Sequence, residues 1–474
     1  MTSQLHTGGT EKQFVLLAKG LRSPGCRVEL GCLTRAGSLL AAAGELAEFP
    51  VAGSFLSRQA WRSRSALAAH LRAHRIAVAH SFDFYGNMML IPVARAAGVP
   101  VVLGSMRSLG DRLNPLQFEA LLLAFRLCDR VVCNSHAAAR KLAEHGLATE
   151  KMAVIPNALP PEAFGNEAQI LPRARGRFRV GMIGRMNERV KNQETFLRAG
   201  ASLASQFPQA EFVLAGDGPL RPRYEQMAQQ LGIAQRVRFL GDRRDVTAVL
   251  ASLDVSVAPS LSESLSNVVI ESMAAGKAVV ASRVGGNLEL VEDGITGRLV
   301  MPQDHAGLAQ AIAGLLRDDA QRHDMAMAAR QFAREHFGLE QICGRYMQLY
   351  EELLERKGRK SSKGAAAAAP RERARLRVAI VAPSTRILGG QSVQAGLLTR
   401  LWQDDADADV RLIPVDPDFP AALRWAERVP FLRTLVRAPI YLTSLWHGLA
   451  DVDVAHIFSA SYWSFLLAPA PAIL

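Results

Sequence analysis

The chain has 474 residues, 49% of them hydrophobic and 21% charged, with a formal net charge of +12. That length exceeds one ordinary domain and that balance excludes a disordered chain. No run of about 18–20 apolar residues passes without a charge, so a transmembrane helix is excluded. The opening MTSQLHTGGTEKQ lacks the apolar core of a secretory signal, and a cytoplasmic protein is expected. Cys26, Cys32, Cys128, Cys133 and Cys343 are scattered, form no Cys-x-x-Cys pair and read as reduced thiols in or near a core. A basic surface can attract nucleic acid, anionic lipid or phosphorylated ligands. Much of the excess charge lies in one stretch, ERKGRKSSKGAAAAAPRERARLR (355–377), and no nucleic-acid motif accompanies it, so no nucleic-acid partner is expected.

From 14 to 165, short apolar runs alternate with longer amphipathic stretches: RIAVAHSF, GNMMLIPVARAAG, VPVVLGS, FEALLLAFRLCDR, VVCNS, AAARKLAEHG and MAVIPNAL. This rhythm predicts βα units around a parallel sheet. A second series runs through FRVGMIGR (178–185), AEFVLAGDGP, VRFLGD, VSVAPS, AVVASRVGG and GRLVMP. Two α/β domains of similar size follow, 1–165 and 172–335, then C-terminal helices over 336–356 and a solvated low-complexity linker over 357–375.

Beyond that linker the chain repeats itself. LGGQSVQAGLLTRLW (388–402) parallels TGGTEKQFVLLAKGL (7–21), and VAHIFSASYWSFLL (454–467) parallels VAHSFDFYGNMMLI (78–91). The strand RVAIVAP (377–383) feeds the second Gly-Gly loop, whereas only MTSQLH precedes the first, so the first domain reads as lacking its first strand. The expectation is a tandem arrangement with a start codon called too late and a second copy, 376–474, cut short.

The chemistry concentrates in the second domain. LDVSVAPSLSESLSNVVIESMAAGKAVVAS (253–282) reads as strand, loop, helix, Gly276 cap and strand. Ser264 or Ser266 can cap the helix, leaving free amides around Leu265, Ser266, Asn267 and Val268, an end that favours phosphate. Glu263 falls in the loop before the helix and Glu271 about one turn inside it. Carboxylates beside a phosphate site would repel it, so they should face hydroxyls, which fits a nucleotide sugar. The alternative is two solvent-facing helix residues. In VGMIGRMNERVKNQETFLRA (180–199), Arg185 and Lys191 follow a strand and precede a helix, where two cations can neutralise a departing diphosphate without a metal; a solvated basic loop is the other reading. AGDGP (215–219), with Gly216, is a tight turn, and FLGD (239–242), with Gly241 and Asp242, ends a strand in backbone groups suited to a base edge.

Taken together, Gly8-Gly9-Thr10-Glu11, Arg185, Lys191, AGDGP, FLGD, Glu263-x7-Glu271 and VGG (284–286) resemble glycosyltransferase family 4, the retaining GT-B enzymes. The resemblance covers residues 8 to about 355, and the second copy resembles the acceptor-side half of such an enzyme. It implies two facing Rossmann-like domains with parallel sheets, a partial third one beyond them, a UDP- or GDP-sugar bound by the second domain, and no essential metal or other cofactor. Arg185 and Lys191 would hold the diphosphate, Glu263 contact the transferred sugar and Glu271 bind the ribose, with the Gly8-Gly9 loop approaching from the opposite domain. Where many members carry His-x-His, this chain reads VAHSFDFYG (78–86). His80 fills the first place as a catalytic candidate, Phe82 the second, and Asp83 is an alternative polar group. A lone histidine at a strand end can also be packed core.

The activity implied is transfer of a hexosyl group to a glycan or lipid-linked acceptor in cell-surface polysaccharide assembly. The basic stretches RSPGCR, SRQAWRSRS and LRAHR fit peripheral association with the inner face of the cytoplasmic membrane, and equally fit solubilising charge. The rivals are a GT-B-fold sugar-nucleotide epimerase, which needs no second substrate, and an inactive fragment.

Overall fold

The apolar runs of the first half become parallel strands in the computed structural model of the chain, which describes residues 1–6, 8–22, 26–165, 169–171, 176–366, 376–382, 395, 397, 399–400, 408–420, 423–424, 430–449, 452 and 454–457. In chain order the first domain holds α1 (Gly9–Gly20), β1 (Gly31–Cys32), α2 (Leu40–Ala43), β2 (Ala47–Glu48), α3 (Arg58–Ala73) and β3 (Val78–His80). It continues with α4 (Phe84–Ala96), β4 (Val101–Met106), α5 (Pro115–Arg126), β5 (Arg130–Cys133), α6 (His136–Glu144) and β6 (Met152–Val154). Strands β3-β4-β5-β6 pair in that order, all parallel, and β1 pairs with β2.

Between those two pieces run Met1–Ser3, which form one isolated parallel bridge, Thr2 with Cys32, and no strand of their own. Thr2 N donates to Gly31 O at 3.1 Å and Leu33 N to Thr2 O at 3.2 Å on one side, while Phe82 N donates to Met1 O at 2.9 Å on the other. Ladder bonds are made by the backbone, so a segment too short to show an apolar pattern can still bridge the two pieces. Thr2 is completely buried, Met1 is buried and Ser3 is half-buried.

The second domain contains β7 (Phe178–Ile183), α7 (Gln193–Gln206), β8 (Ala210–Ala215), α8 (Arg221–Gln230), β9 (Val237–Phe239), α9 (Val246–Ala251), β10 (Val255–Ala258), α10 (Asn267–Ala274), β11 (Ala278–Ser282), α11 (Asn287–Leu290), β12 (Arg298–Val300), α12 (His305–Arg317) and α13 (Asp319–Phe337). Its six strands lie in the order β12-β11-β10-β7-β8-β9, all parallel. The chain thus builds outward from β7 to β9, then reverses to β10. That reversal opens a crevice at the carboxyl ends of β7 and β10, the place where doubly wound sheets take ligands. Helices cover both faces, so β8, β10 and β11 are buried at every position and read as continuous apolar runs.

The last helix of this unit, α14 (Leu339–Ala366), leaves the second domain and packs on the first. Ile342, Cys343, Tyr346, Leu349 and Leu353 join Phe14, Leu17, Phe82 and Val101 in one core. The linker expected from 357 is helical to Ala366. Its Arg, Lys and Ala residues are strong helix formers, and a continuing helix needs no new nucleus, so two glycines do not stop it. Residues 367–375 lie outside the described residues. Four cysteines are buried and Cys26 is half-buried, all of them free.

The chain divides into residues 1–359 and 360–474. In the second unit, β13 (Leu376–Ala382) lies between β14 (Ala408–Pro414) and β15 (Val454–Ile457), all parallel, with the helix Pro430–Leu449 contributing Tyr441 and Leu445 to a small core with Ala379 and Ile413. This order matches that of β1, the bridging segment Met1–Ser3 and β3. The repeated Gly-Gly loop at 389–390 and the stretch 458–467 lie outside the described residues. Among the described residues, no helix is long and apolar enough to cross a membrane.

Candidate active site

A cleft of about 650 Å³ lies between the two domains of the first unit. The crevice between β7 and β10 forms one wall, and the loops after Met1–Ser3 and β3 form the other, so each sheet offers its own reversal point. Arg185, Lys191, Gly216, Asp242, Glu263, Ser264, Leu265, Asn267 and Glu271 line it from the second domain, and Gly8 and Gly9 from the first.

Lys191 is placed by the loop that ends in α7. Asn192 adopts the left-handed conformation at φ 59°, caps α7 by accepting from Thr195 N, and donates from Nδ2 to Pro259 O at 3.0 Å. That tie brings the loop after β7 against the loop after β10. Lys191 Nζ lies 2.5 Å from Glu263 Oε1, which also accepts from Ser260 Oγ at 2.8 Å. The pair is part-buried, and it holds a cation and a carboxylate at one point of the wall.

Arg185 is carried on the neighbouring turn. Gly184 N donates to Ala215 O at 2.9 Å and Met186 N to Asp217 O at 2.8 Å, so AGDGP braces the segment on both sides of Arg185. A Cβ on Gly216, at φ +135°, would lie 2.1 Å from Gly184 O. Only glycine fits there. Arg185 is exposed at the cleft. Across from it, burial raises the Glu11 carboxyl above its usual range, with Asp83 adding to the rise and Arg185 opposing it.

The VGG motif has a similar reason. Gly286 N donates to Glu263 O at 3.0 Å, and a Cβ on Gly285 or Gly286 would sit 1.9 Å from Glu263 O or 1.8 Å from Ser264 O. The loop bearing Glu263 rests directly on this backbone.

Helix α10 begins as expected, with Ser266 as its cap accepting from Val269 N. Glu271 sits in its second turn. Burial raises its carboxyl pKa, and Lys12 of the opposite domain works against the rise. The Gly8-Gly9 loop meets the start of this helix, since a Cβ on Gly9 would lie 2.5 Å from Asn267 Nδ2.

Several expectations need correction. His80 does not line the cleft: its Nδ1 lies 2.7 Å from Tyr350 Oη and its Nε2 2.8 Å from Ser105 Oγ. Burial, then the Met1 amine and Arg107, hold its pKa well below the ordinary value, and both ring nitrogens of this half-buried histidine are engaged within the first unit. Ser105 stands between it and the cleft. Asp83 lines the cleft but caps α4 by accepting from Gly86 N at 2.7 Å, and it also accepts from Thr2 Oγ1 at 2.6 Å. Ser266 and Gly241 act in the framework and are not on the lining; Gly241 O accepts from Gly216 N at 2.8 Å.

Other polar groups went unforeseen because they act across the domains. Ser264 Oγ lies 2.6 Å from Asn134 Oδ1 and 3.1 Å from Ser135 Oγ, and Asn157 Nδ2 donates to Asn267 Oδ1 at 2.5 Å. Arg107 Nη2 donates to Asn157 Oδ1 at 2.5 Å, while its guanidinium lies over the Phe82 ring. Glu289 of α11 accepts from His136 N at 2.8 Å and Ala137 N at 2.7 Å, capping α6 from the other domain. The sequence signal for the first of these was the Asn-Ser that ends VVCNS, an N-cap after a strand.

The chain is similar to known glycosyltransferases in sequence and in fold. The family model described as Glycosyltransferase Family 4 matches residues 7–163, and that described as Glycosyl transferases group 1 matches residues 177–318. A lipopolysaccharide core biosynthesis glycosyltransferase, LpsE, of Rhizobium meliloti is 32% identical over 239 residues, 49% of this chain and 67% of that protein. A D-inositol 3-phosphate glycosyltransferase of Corynebacterium urealyticum is 35% identical over 183 residues, 37% of this chain; the match spans 43% of the length of that relative. The crystal structure of Anabaena Alr3699/HepE in complex with UDP superposes with a TM-score of 0.66 at 22% identity, covering 74% of this chain and 98% of that one, a likeness of fold.

Proposed function

The chain belongs to glycosyltransferase family 4, and from that premise we propose that it transfers a hexosyl group, with retention, from a nucleoside-diphosphate sugar to a hydroxyl of a glycan or lipid-linked acceptor. The observation that carries this reading is the Lys191–Glu263 pair, 2.5 Å apart at the reversal point of the second sheet, with Arg185 on the adjoining turn. A cation there meets the diphosphate as it departs, and the carboxylate beside it meets sugar hydroxyls. Glu271, deeper in the same wall, takes the ribose.

Charge develops in two places as the glycosidic bond breaks, on an oxocarbenium-like sugar and on the leaving phosphate. Arg185, Lys191 and the amides at the start of α10 supply a fixed positive field to the second, and this field needs no reorganisation at the moment of reaction. No side chain in the wall is assigned as a nucleophile for double displacement. The departing phosphate oxygen accepts the proton of the attacking hydroxyl on the same face, which gives retention without one.

A relative solved with UDP supports a uridine donor, and a relative named for lipopolysaccharide core biosynthesis supports a cell-surface glycan acceptor. The basic stretches of the first domain, with Trp61 exposed among Arg58, Arg62 and Arg64, suit a place at the cytoplasmic membrane surface. The second unit is read as a further acceptor-side domain. A screen of UDP- and GDP-sugars for nucleotide release, with product analysis and with EDTA present, tests the proposal. Release that depends on an acceptor and survives EDTA supports it. Conversion of the donor sugar without an acceptor would favour the epimerase, and strict dependence on Mg²⁺ or Mn²⁺ would remove the metal-free assignment.

A further inference from the structure

Away from the cleft, three side chains with metal-ligand chemistry converge on the first domain. His70 lies in the last turn of α3 and His74 is the residue that caps it, an i, i+4 spacing that sets both imidazoles on one face of the helix. Glu29 comes from the segment two residues before β1. One ligand atom from each lies within 4.8 Å of the others, and His74 Nδ1 is 3.5 Å from Glu29 Oε1. Two ligands at tetrahedral zinc, with bonds of about 2.0–2.1 Å, stand about 3.3 Å apart. The His74–Glu29 separation therefore needs only a small contraction, while His70, within 4.8 Å of both, must move in by at most about 1.5 Å. The two rings already lie side by side, with centroids 4.1 Å apart, and His70 is braced edge-on by Phe49 at 5.7 Å.

A cation already occupies this corner. Arg27 approaches Glu29 Oε1 to 2.6 Å through Nη2, and the same nitrogen is 3.0 Å from His74 Nδ1. A guanidinium has no acceptor, so His74 must present a lone pair at Nδ1, the form that ligates a metal. Arg27 itself is 73% exposed. Its side chain can leave into water at little cost, whereas the end of α3 fixes the spacing of the two imidazoles.

We propose that Glu29, His70 and His74 form a structural site for a divalent cation of the zinc class, with Arg27 as the displaceable counter-cation of the metal-free chain. Two imidazoles and a carboxylate suit zinc, cobalt or nickel better than magnesium or calcium, and a fourth position remains for water. None of the three residues lines the cleft. The ion would fasten the end of α3 to the segment entering β1 and raise stability by mass action without entering the reaction.

The test uses the full chain, stripped with chelator and titrated with Zn²⁺ against a chromophoric chelator and with Co²⁺ by absorption. The wild type is expected to bind one Zn²⁺ more per chain than His70→Ala/His74→Ala and to show the visible band of tetrahedral cobalt that the double variant lacks. Glu29→Gln, which keeps the fold and shape of the segment, should weaken binding at least about tenfold. Arg27→Ala should bind as tightly as wild type or more so, because it removes the competitor. Zn²⁺ should raise the Tm of wild type and Arg27→Ala only. Equal stoichiometry in wild type and the double variant, or unchanged affinity in Glu29→Gln, overturns the site. Should the double variant fail to fold, Glu29→Gln and Arg27→Ala decide between them.

Discussion

Replacing Lys191 with alanine separates what this side chain does for the fold from what it does for the reaction. Lys191 and Glu263 are 30% and 11% exposed and 2.5 Å apart, so the substitution leaves a poorly solvated carboxylate with the Ser260 hydroxyl as its neighbour at 2.8 Å. Breaking a fully buried pair costs about 3–5 kcal/mol and an exposed pair about 0–1 kcal/mol. With nearly a third of the lysine in water, about 1–2 kcal/mol is expected, a Tm lower by a few degrees. The kinetic effect should be larger, because a charge preorganised toward a leaving group is worth about 10²–10³ in kcat. Nucleotide release at saturating donor measures it, with a thermal melt on the same sample. Glu263→Gln and the double variant complete a cycle. If Lys191 merely neutralised Glu263, the double variant would regain most of the turnover; if Lys191 meets the diphosphate, the double variant stays as slow. A folded Lys191→Ala protein within about threefold of wild-type turnover refutes the assignment.

The two carboxylates should part in kinetics: Glu271→Ala mainly raises KM for the donor and Glu263→Ala mainly lowers kcat, each by about 1.5–3 kcal/mol of transition-state or ground-state binding. Near-wild-type constants in both would remove them from the site. Burial raises the Glu271 pKa in the folded state above its model-peptide value of 4.5, so this group's contribution to stability falls as pH rises through the folded pKa. Glu271→Gln is therefore expected to melt higher than wild type at pH 7–8 and to lose that advantage as pH falls toward about 4.5; melts with parallel pH dependence would contradict it. A chain shortened to residues 1–359 should keep the nucleotide-release activity, since both cleft walls and the core-forming part of α14 lie within the first unit. Loss of activity with an intact melt would give the second unit a role in the reaction.

The second domain was legible because its signals are local. Strand, loop and helix follow one another within about thirty residues, and the loops that carry Arg185, Lys191 and Glu263 lie directly after the strands that place them. Gly216 of AGDGP and the two glycines of VGG could be noticed, but their reason could not: each clears a backbone carbonyl, at Gly184 or at Glu263 and Ser264, that a different loop brings there. What the sequence hid depends on distant partners. Met1–Ser3 bridges the two sheet pieces through bonds to Gly31, Leu33 and Phe82 rather than through any pattern of its own. His80 looked like a catalytic group until Tyr350, 270 positions later, took its Nδ1. Asn134, Asn157 and Glu289 act only where two domains meet, and neither domain's periodicity records the other. The stretch after Lys357 misled by composition, since repeated alanine with lysine and arginine suits a helix as well as a tether.

The return of α14 to the first domain bears on the order in which the protein matures during synthesis. The first domain has its strands once Val154 has been made, but the core around Phe14, Phe82 and Val101 also requires Ile342, Tyr346 and Leu353. At about 5–20 residues per second, the roughly 200 intervening residues keep the ribosome busy for about 10–40 s. Through that interval an apolar face lies open on the nascent first domain while the second domain, whose strands and covering helices are contiguous, can close. Stalled chains ending before Leu339 should therefore be cut by protease in the first domain and spared in the second. The part translated first is the part completed last, and its finishing piece arrives from the far side of the cleft.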